Sequence, residues 1–180
     1  MIRALVLFAA VAAALWLQEF LPLLAFFDGA RVLLVPVIFC YGALWLPFSA
    51  MLLLALYTGL LVDLATLNII DGRVEIGLGW SMLFYVFVGS LLNNLRRAFP
   101  DGRWEVHCLA SGLVTLLYLL GQYLMISLRR ESFYFDSTVF WHLAGPSLAA
   151  LLLAPPLFFL LQLVPGGFLS RADSPRHLRS

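Results

Sequence analysis

The stretch Ala55-Leu-Tyr-Thr-Gly59-Leu-Leu-Val-Asp63-Leu-Ala-Thr-Leu-Asn68-Ile-Ile-Asp71-Gly-Arg-Val-Glu75-Ile-Gly77-Leu-Gly79-Trp-Ser81 decides how this chain reads. An apolar helix carries a carboxylate near its end, a short polar turn follows, and glycines lead into a second apolar helix. Ala55, Gly59 and Asp63 are four residues apart. Four residues overshoot one helical turn by ~40°, so the three share a strip ~80° wide. The strip is a shallow groove ending in a carboxylate. A carboxylate at the centre of a membrane helix costs ~2.5–3.5 kcal/mol, and less toward the interface. Two readings of Asp63 therefore stand side by side. It faces the bundle and pairs with Arg31, Arg73 or a donor on another subunit, or it is a hydrated helix-end residue near the interface.

Outward from that stretch, the whole chain is apolar. Of its 180 residues 63% are hydrophobic and 12% charged, whereas a soluble domain is nearer 45–50% apolar and about 25% charged. One core of this size cannot hide the excess, so the expected solvent is largely lipid. At ~20 residues per crossing, six spans use nearly the whole length. The expected fold is an all-α integral membrane protein, a six-span transmembrane helical bundle. Residues 1–164 would form one domain and 165–180 a short cytoplasmic tail. The net charge of +1 excludes the broad basic surface that a nucleic-acid partner needs. Cys40 and Cys108 lie in separate apolar runs and read as small apolar residues.

The runs place spans at about 2–21, 31–46, 49–66, 77–95, 106–128 and 138–163. The first begins at Met1-Ile-Arg3 and lacks a polar sequence after Ala12-Ala-Ala14, so it reads as an uncleaved span. Its pairs Ala9/Ala13 and Ala10/Ala14 permit close approach of a neighbouring helix. Pro36 falls in the first turns of the second span, where it costs little, whereas Pro146 and Pro155-Pro156 are expected to kink or break the sixth. The short uncharged link Pro47-Phe48-Ser49 makes spans two and three a hairpin. Asn68 to Glu75 reads as a polar loop turning at Asp71-Gly72.

Two helical rows stand out. In span four Gly77, Ser81, Tyr85, Gly89 and Asn93 recur every four residues and form a winding ridge of mostly small or polar residues. In span five His107, Ser111, Thr115, Tyr118 and Gln122 are spaced 4, 4, 3 and 4, which is one helical face. In lipid such a polar stripe belongs inside the bundle. It reads either as interhelical hydrogen bonding that holds the helices together or as the lining of a ligand cavity. The chain has no lysine, so the arginines set orientation. With the N-terminus inside, Arg3, Arg96, Arg97, Arg103, Arg171, Arg176 and Arg179 are cytoplasmic, and Arg31, Arg73, Arg129 and Arg130 are external. That balance favours N-in/C-in, with Asp63 approaching the outer interface and Arg96-Arg97 as a topology determinant in contact with lipid headgroups.

Catalytic signatures are missing from the sequence. No zinc helix of the His-Glu-x-x-His kind and no phosphate-binding loop occurs. Gly79-Trp-Ser81-Met lacks the second glycine of a nucleophile elbow. His107, His142 and His177 are scattered, so neither a metal nor a cofactor is expected.

With these features in place, the segment Gly59-Leu-Leu-Val-Asp63-Leu, the short polar loop, Gly77-Leu-Gly-Trp-Ser-Met-Leu-Phe-Tyr85 and the basic exit Arg96-Arg97 resemble the rod shape-determining protein MreD family. The resemblance is sharpest over residues 55–97. It implies a non-enzymatic scaffold of the bacterial cell-elongation machinery in the inner membrane. The implied partners are an MreC-like membrane protein, a RodA-type glycosyltransferase with its class B penicillin-binding transpeptidase, and indirectly the MreB actin-like filament. Ala55, Gly59, Asp63, Gly77, Ser81, Tyr85 and Gly89 would then be helix-packing or partner-contact residues. A second class of protein shares the size and span number, the substrate-binding component of an energy-coupling-factor vitamin transporter. It calls for polar and aromatic residues converging from the outer loops and late spans, such as Gln122, Tyr134, Trp141 and His142.

Overall fold

The computed structural model describes residues 2–20, 31–66, 69–70, 73–74, 79–96, 104–129, 133 and 136–163. Among these are six helices: α1 (Ile2–Phe20), α2 (Val35–Trp45), α3 (Phe48–Ala65), α4 (Trp80–Leu95), α5 (Trp104–Arg129) and α6 (Ser137–Gln162). Three of them, α3, α5 and α6, are long and apolar enough to cross a bilayer, whereas α1, α2 and α4 are shorter apolar helices. Large side chains point outward along several helices. Leu5, Phe20, Leu83, Phe87 and Leu152 are all at least 70% exposed. Apolar rows of that extent suit lipid contact and would be an aggregation hazard in water.

The organising element is the shortest helix. α2 packs against each of the other five, and every residue from Val35 to Ala43 is buried. A helix that is apolar all round belongs in a core. Its 11 residues rise only ~16 Å, about half of a ~30 Å hydrocarbon layer. The second apolar run thus yields a helix four residues later than its sequence start, with Pro36 in the first turn. Around α2, α1 meets α3, α3 pairs extensively with α4, and α5 pairs extensively with α6. Within α1–α2, α3–α4 and α5–α6 the helices are antiparallel. Glu19 bonds Arg31 while Leu7 lies by Gly42, Asp63 bonds Ser81 while Met51 lies by Gly89, and Phe158 stacks on His107 while Leu151 lies by Gly112.

Two expectations change. The polar loop after α3 contains a small antiparallel ladder, Ile69–Ile70 with Arg73–Val74, in an otherwise all-helical fold. Residues 71 and 72, between the strands, lie outside the described residues. The break expected in the sixth span does not occur: α6 is continuous, with Pro146, Pro155 and Pro156 inside it. A helix packed against neighbours can lose single backbone donors and remain helical, because packing and the remaining bonds sustain it. Gly77, Arg97, the 97–103 break and the 165–180 tail lie outside the described residues.

Candidate functional site

The geometry converges on Asp63. Its side chain is buried, and its carboxylate accepts the backbone N–H of Gly79 at 2.6 Å and of Ser81 at 3.2 Å. These are among the first N–H groups of α4, which have no partner inside the helix. Asp63 is therefore a capping residue supplied by the preceding helix, with its negative charge at the positive end of the α4 dipole. Gly79 sits at φ 101°, the left-handed region that glycine tolerates best. Of the arginine partners considered for Asp63, Arg31 is engaged elsewhere. It meets Glu19 at 3.1 Å on an exposed surface, and the Arg73 side chain is outside the described set.

The rest of the small-residue strip serves the same junction. A Cβ on Gly59 would overlap the backbone of Met82, so α3 and α4 touch main chain to main chain there. Gly89 meets the other end, where an added Cβ would lie 2.7 Å from Met51 Sδ and 2.9 Å from Phe39 Cζ. Ala55 and Tyr85 are fully buried between these points, and Ser81 is fully buried at the Gly59 contact. Most of the row read as a contact surface is thus occupied by the chain itself.

A polar chain extends from Asp63 across the bundle. The Ser81 hydroxyl lies 3.2 Å from the Tyr118 hydroxyl, which accepts from Gln122 Nε2 at 2.7 Å. The chain Asp63, Ser81, Tyr118 and Gln122 joins α3, α4 and α5. Aromatic rings pack beside it, with Tyr85 stacked on Tyr118 at 5.7 Å and edge-on to Phe39 at 4.8 Å.

The stripe on α5 divides into two parts. Its upper members, Tyr118 and Gln122, make the bonds just described. Ser111 and Thr115 are fully buried, yet each donates at 2.7 Å to the carbonyl four residues back in α5. Thr115 is thus satisfied within α5, while Ser111 also meets the Cys40 thiol of α2, so the stripe mixes local and interhelical bonds. His107 is enclosed between Tyr41 (5.9 Å) and Phe158 (5.5 Å), with no hydrogen-bond partner on either nitrogen among the described residues.

Arg96 has a further role inside the fold. With Asn93 it closes the C-terminus of α2. Asn93 Nδ2 donates to the carbonyls of Ala43 and Leu46 at 3.0 Å each, and Arg96 Nη1 donates to Leu46 at 2.8 Å. A cation at the negative end of a helix is favourable. Sequence reasoning missed this pair, although Asn93 lies on the ridge that begins at Gly77.

No family model, no curated protein and no solved structure matches the chain.

Chemically, the junction is a set of fixed hydrogen bonds with a carboxylate already committed to two backbone donors. Among the described residues no group of three His, Cys, Asp or Glu side chains converges as a metal site, and Cys40 and Cys108 are buried free thiols. Trp80 lays its indole over Gly121, where a Cβ would lie 3.0 Å from Cζ2. Small residues here admit large neighbours, which is packing chemistry.

Proposed function

We propose that this chain is a non-catalytic scaffold of the bacterial cell-elongation machinery, of the MreD kind. It would be embedded in the inner membrane by six spans with both termini in the cytoplasm. The observation that carries this reading is the α3–α4 junction. The residues on which the resemblance rests, Gly59, Asp63, Ser81 and Tyr85, are spent on rigidly joining two helices. A protein whose most distinctive residues build a stiff interlocked pair is suited to presenting outer surfaces to partner helices. The surfaces left for that purpose are apolar rows such as Leu83, Phe87 and Leu91 on α4. The partners would be an MreC-like membrane protein and, with it, the RodA-type glycosyltransferase and class B transpeptidase, with the MreB filament reached indirectly.

The test is recovery of partners. An affinity-tagged chain, co-expressed with the MreC-like protein and extracted in mild detergent, should bring that protein with it. Failure of both co-purification and any cell-shape effect on depletion would remove this reading.

The vitamin-transporter reading stands as the alternative, and Gln122, one of the residues it calls for, joins the polar chain at Tyr118. Native mass spectrometry of the purified protein separates the two. A vitamin-sized adduct that survives extraction would support the transporter reading.

A further inference from the structure

Several hydroxyls of this protein are satisfied by their own helix, and two at the centre are not. Thr66, Ser90, Ser111, Thr115 and Ser147 each donate to the carbonyl four residues back, at 2.7–2.8 Å. Thr58, in the middle of α3, does not. It is fully buried, and its Oγ1 has no hydrogen-bond partner among the described residues. Tyr85 on α4 is in the same condition, 0% exposed with its hydroxyl unpartnered. Its ring is held by Phe39 on one side and Tyr118 on the other, which limits its freedom to swing toward a protein acceptor.

The two residues lie on the same stretch of the α3–α4 pair. α3 and α4 cross at Gly59 against Met82 and again where Met51 meets Gly89. Thr58 and Tyr85 both fall between those crossings. Tyr85 is within electrostatic range of the Asp63 carboxylate, the Tyr118 hydroxyl and the Cys40 thiol. This stretch therefore sets two orphaned hydroxyls beside a polar chain that is otherwise satisfied. Buried polar groups without partners are rare in folded proteins, and an internal water with two to four polar neighbours is the usual solution. In an apolar surround the demand is sharper, because no bulk solvent supplies the missing bond.

We infer that the α3–α4 pair binds an internal water molecule held by Thr58 Oγ1 and Tyr85 Oη. The water accepts a hydrogen bond from the Tyr85 O–H and donates one to Thr58 Oγ1. Its second proton is directed toward the Asp63 side, which extends the Asp63–Ser81–Tyr118–Gln122 chain into the interior. The site holds whether the protein is a scaffold or a solute binder, since it rests only on the two hydroxyls and their surroundings.

The experiment is a thermal-unfolding cycle on the purified protein in detergent, with Thr58→Val, Tyr85→Phe and the double variant. If the two residues share one water, each single change lowers the midpoint by about 2–4 °C, and the double change lowers it no further than the larger single effect. If the hydroxyls are dry, deleting either removes an unsatisfied polar group, and the midpoint stays level or rises. That result overturns the proposal, as do single losses that simply add. X-ray radiolytic labelling supplies a second readout that does not depend on stability. A water beside Tyr85 should make it reactive in the wild type although it is enclosed, while the equally buried Phe39 stays unmodified. Tyr85 as inert as Phe39 overturns the proposal.

Discussion

Gly59 rests directly on the backbone of Met82, so closely that a single methyl group at position 59 would occupy the place of the Met82 main chain. A side chain could turn away from such an intrusion, but a helix backbone cannot. Gly59→Ala should force α3 and α4 apart and cost about 1–3 kcal/mol, read as a lower unfolding midpoint in detergent. Gly112 is the internal control. A Cβ there would meet its closest neighbours, on Leu151 and Ser147, at 3.4 Å, so Gly112→Ala should lie close to wild type.

The two halves of the α5 stripe should respond differently. Tyr118→Phe removes the links to Ser81 and Gln122, each worth about 0.6 kcal/mol between helices in a membrane. Thr115→Val removes only a bond to its own helix, and such back-bonds slightly disfavour the helix. A small loss for Tyr118→Phe beside no loss for Thr115→Val in the same unfolding assay is the expected pattern. Equal losses would mean that Thr115 reaches another helix.

The closure of α2 predicts a ranking. Asn93→Leu strips the single Asn93 bond from the Ala43 carbonyl and one of two from Leu46, and a buried carbonyl left unpaired costs about 1–3 kcal/mol. Arg96→Met removes one bond to Leu46 and the charge term of about 0.3–1 kcal/mol, but Asn93 stays in place and neither carbonyl is left unpaired, so the loss is smaller. Because α2 touches every other helix, Asn93→Leu should also raise amide hydrogen exchange along α2 more than Arg96→Met does.

Much of the helix inventory was legible in the sequence, since α3, α5 and α6 announce themselves as long apolar runs. The Ala55–Gly59–Asp63 strip and the His107–Gln122 face were legible too, because helical spacing alone puts those residues in register. The central position of α2 was not. Val35–Trp45 looks like any other apolar run, and burial on all sides is a property of five neighbours that one segment cannot encode. The partner of Asp63 was hidden for a different reason. Backbone N–H groups belong to every residue, so an aspartate that caps a helix sixteen residues away leaves only Gly79 as a trace. Asp71-Gly72 between Ile-Ile and Arg-Val carried a hairpin signal, but it was read only as a turn.

The account depends most on Asp63 being the internal cap of α4 and not a surface for a partner. The direct measurement is the unfolding midpoint of the isolated protein carrying Asp63→Leu, with Asp63→Asn beside it. Leucine leaves the N–H groups of Gly79 and Ser81 without an acceptor, at about 1–3 kcal/mol each, whereas asparagine keeps one acceptor oxygen. The predicted result is a clear fall for Asp63→Leu and a smaller one for Asp63→Asn, in protein purified without any partner. An unchanged midpoint for Asp63→Leu, together with loss of co-purifying MreC-like protein, would contradict the internal cap and make Asp63 a docking residue.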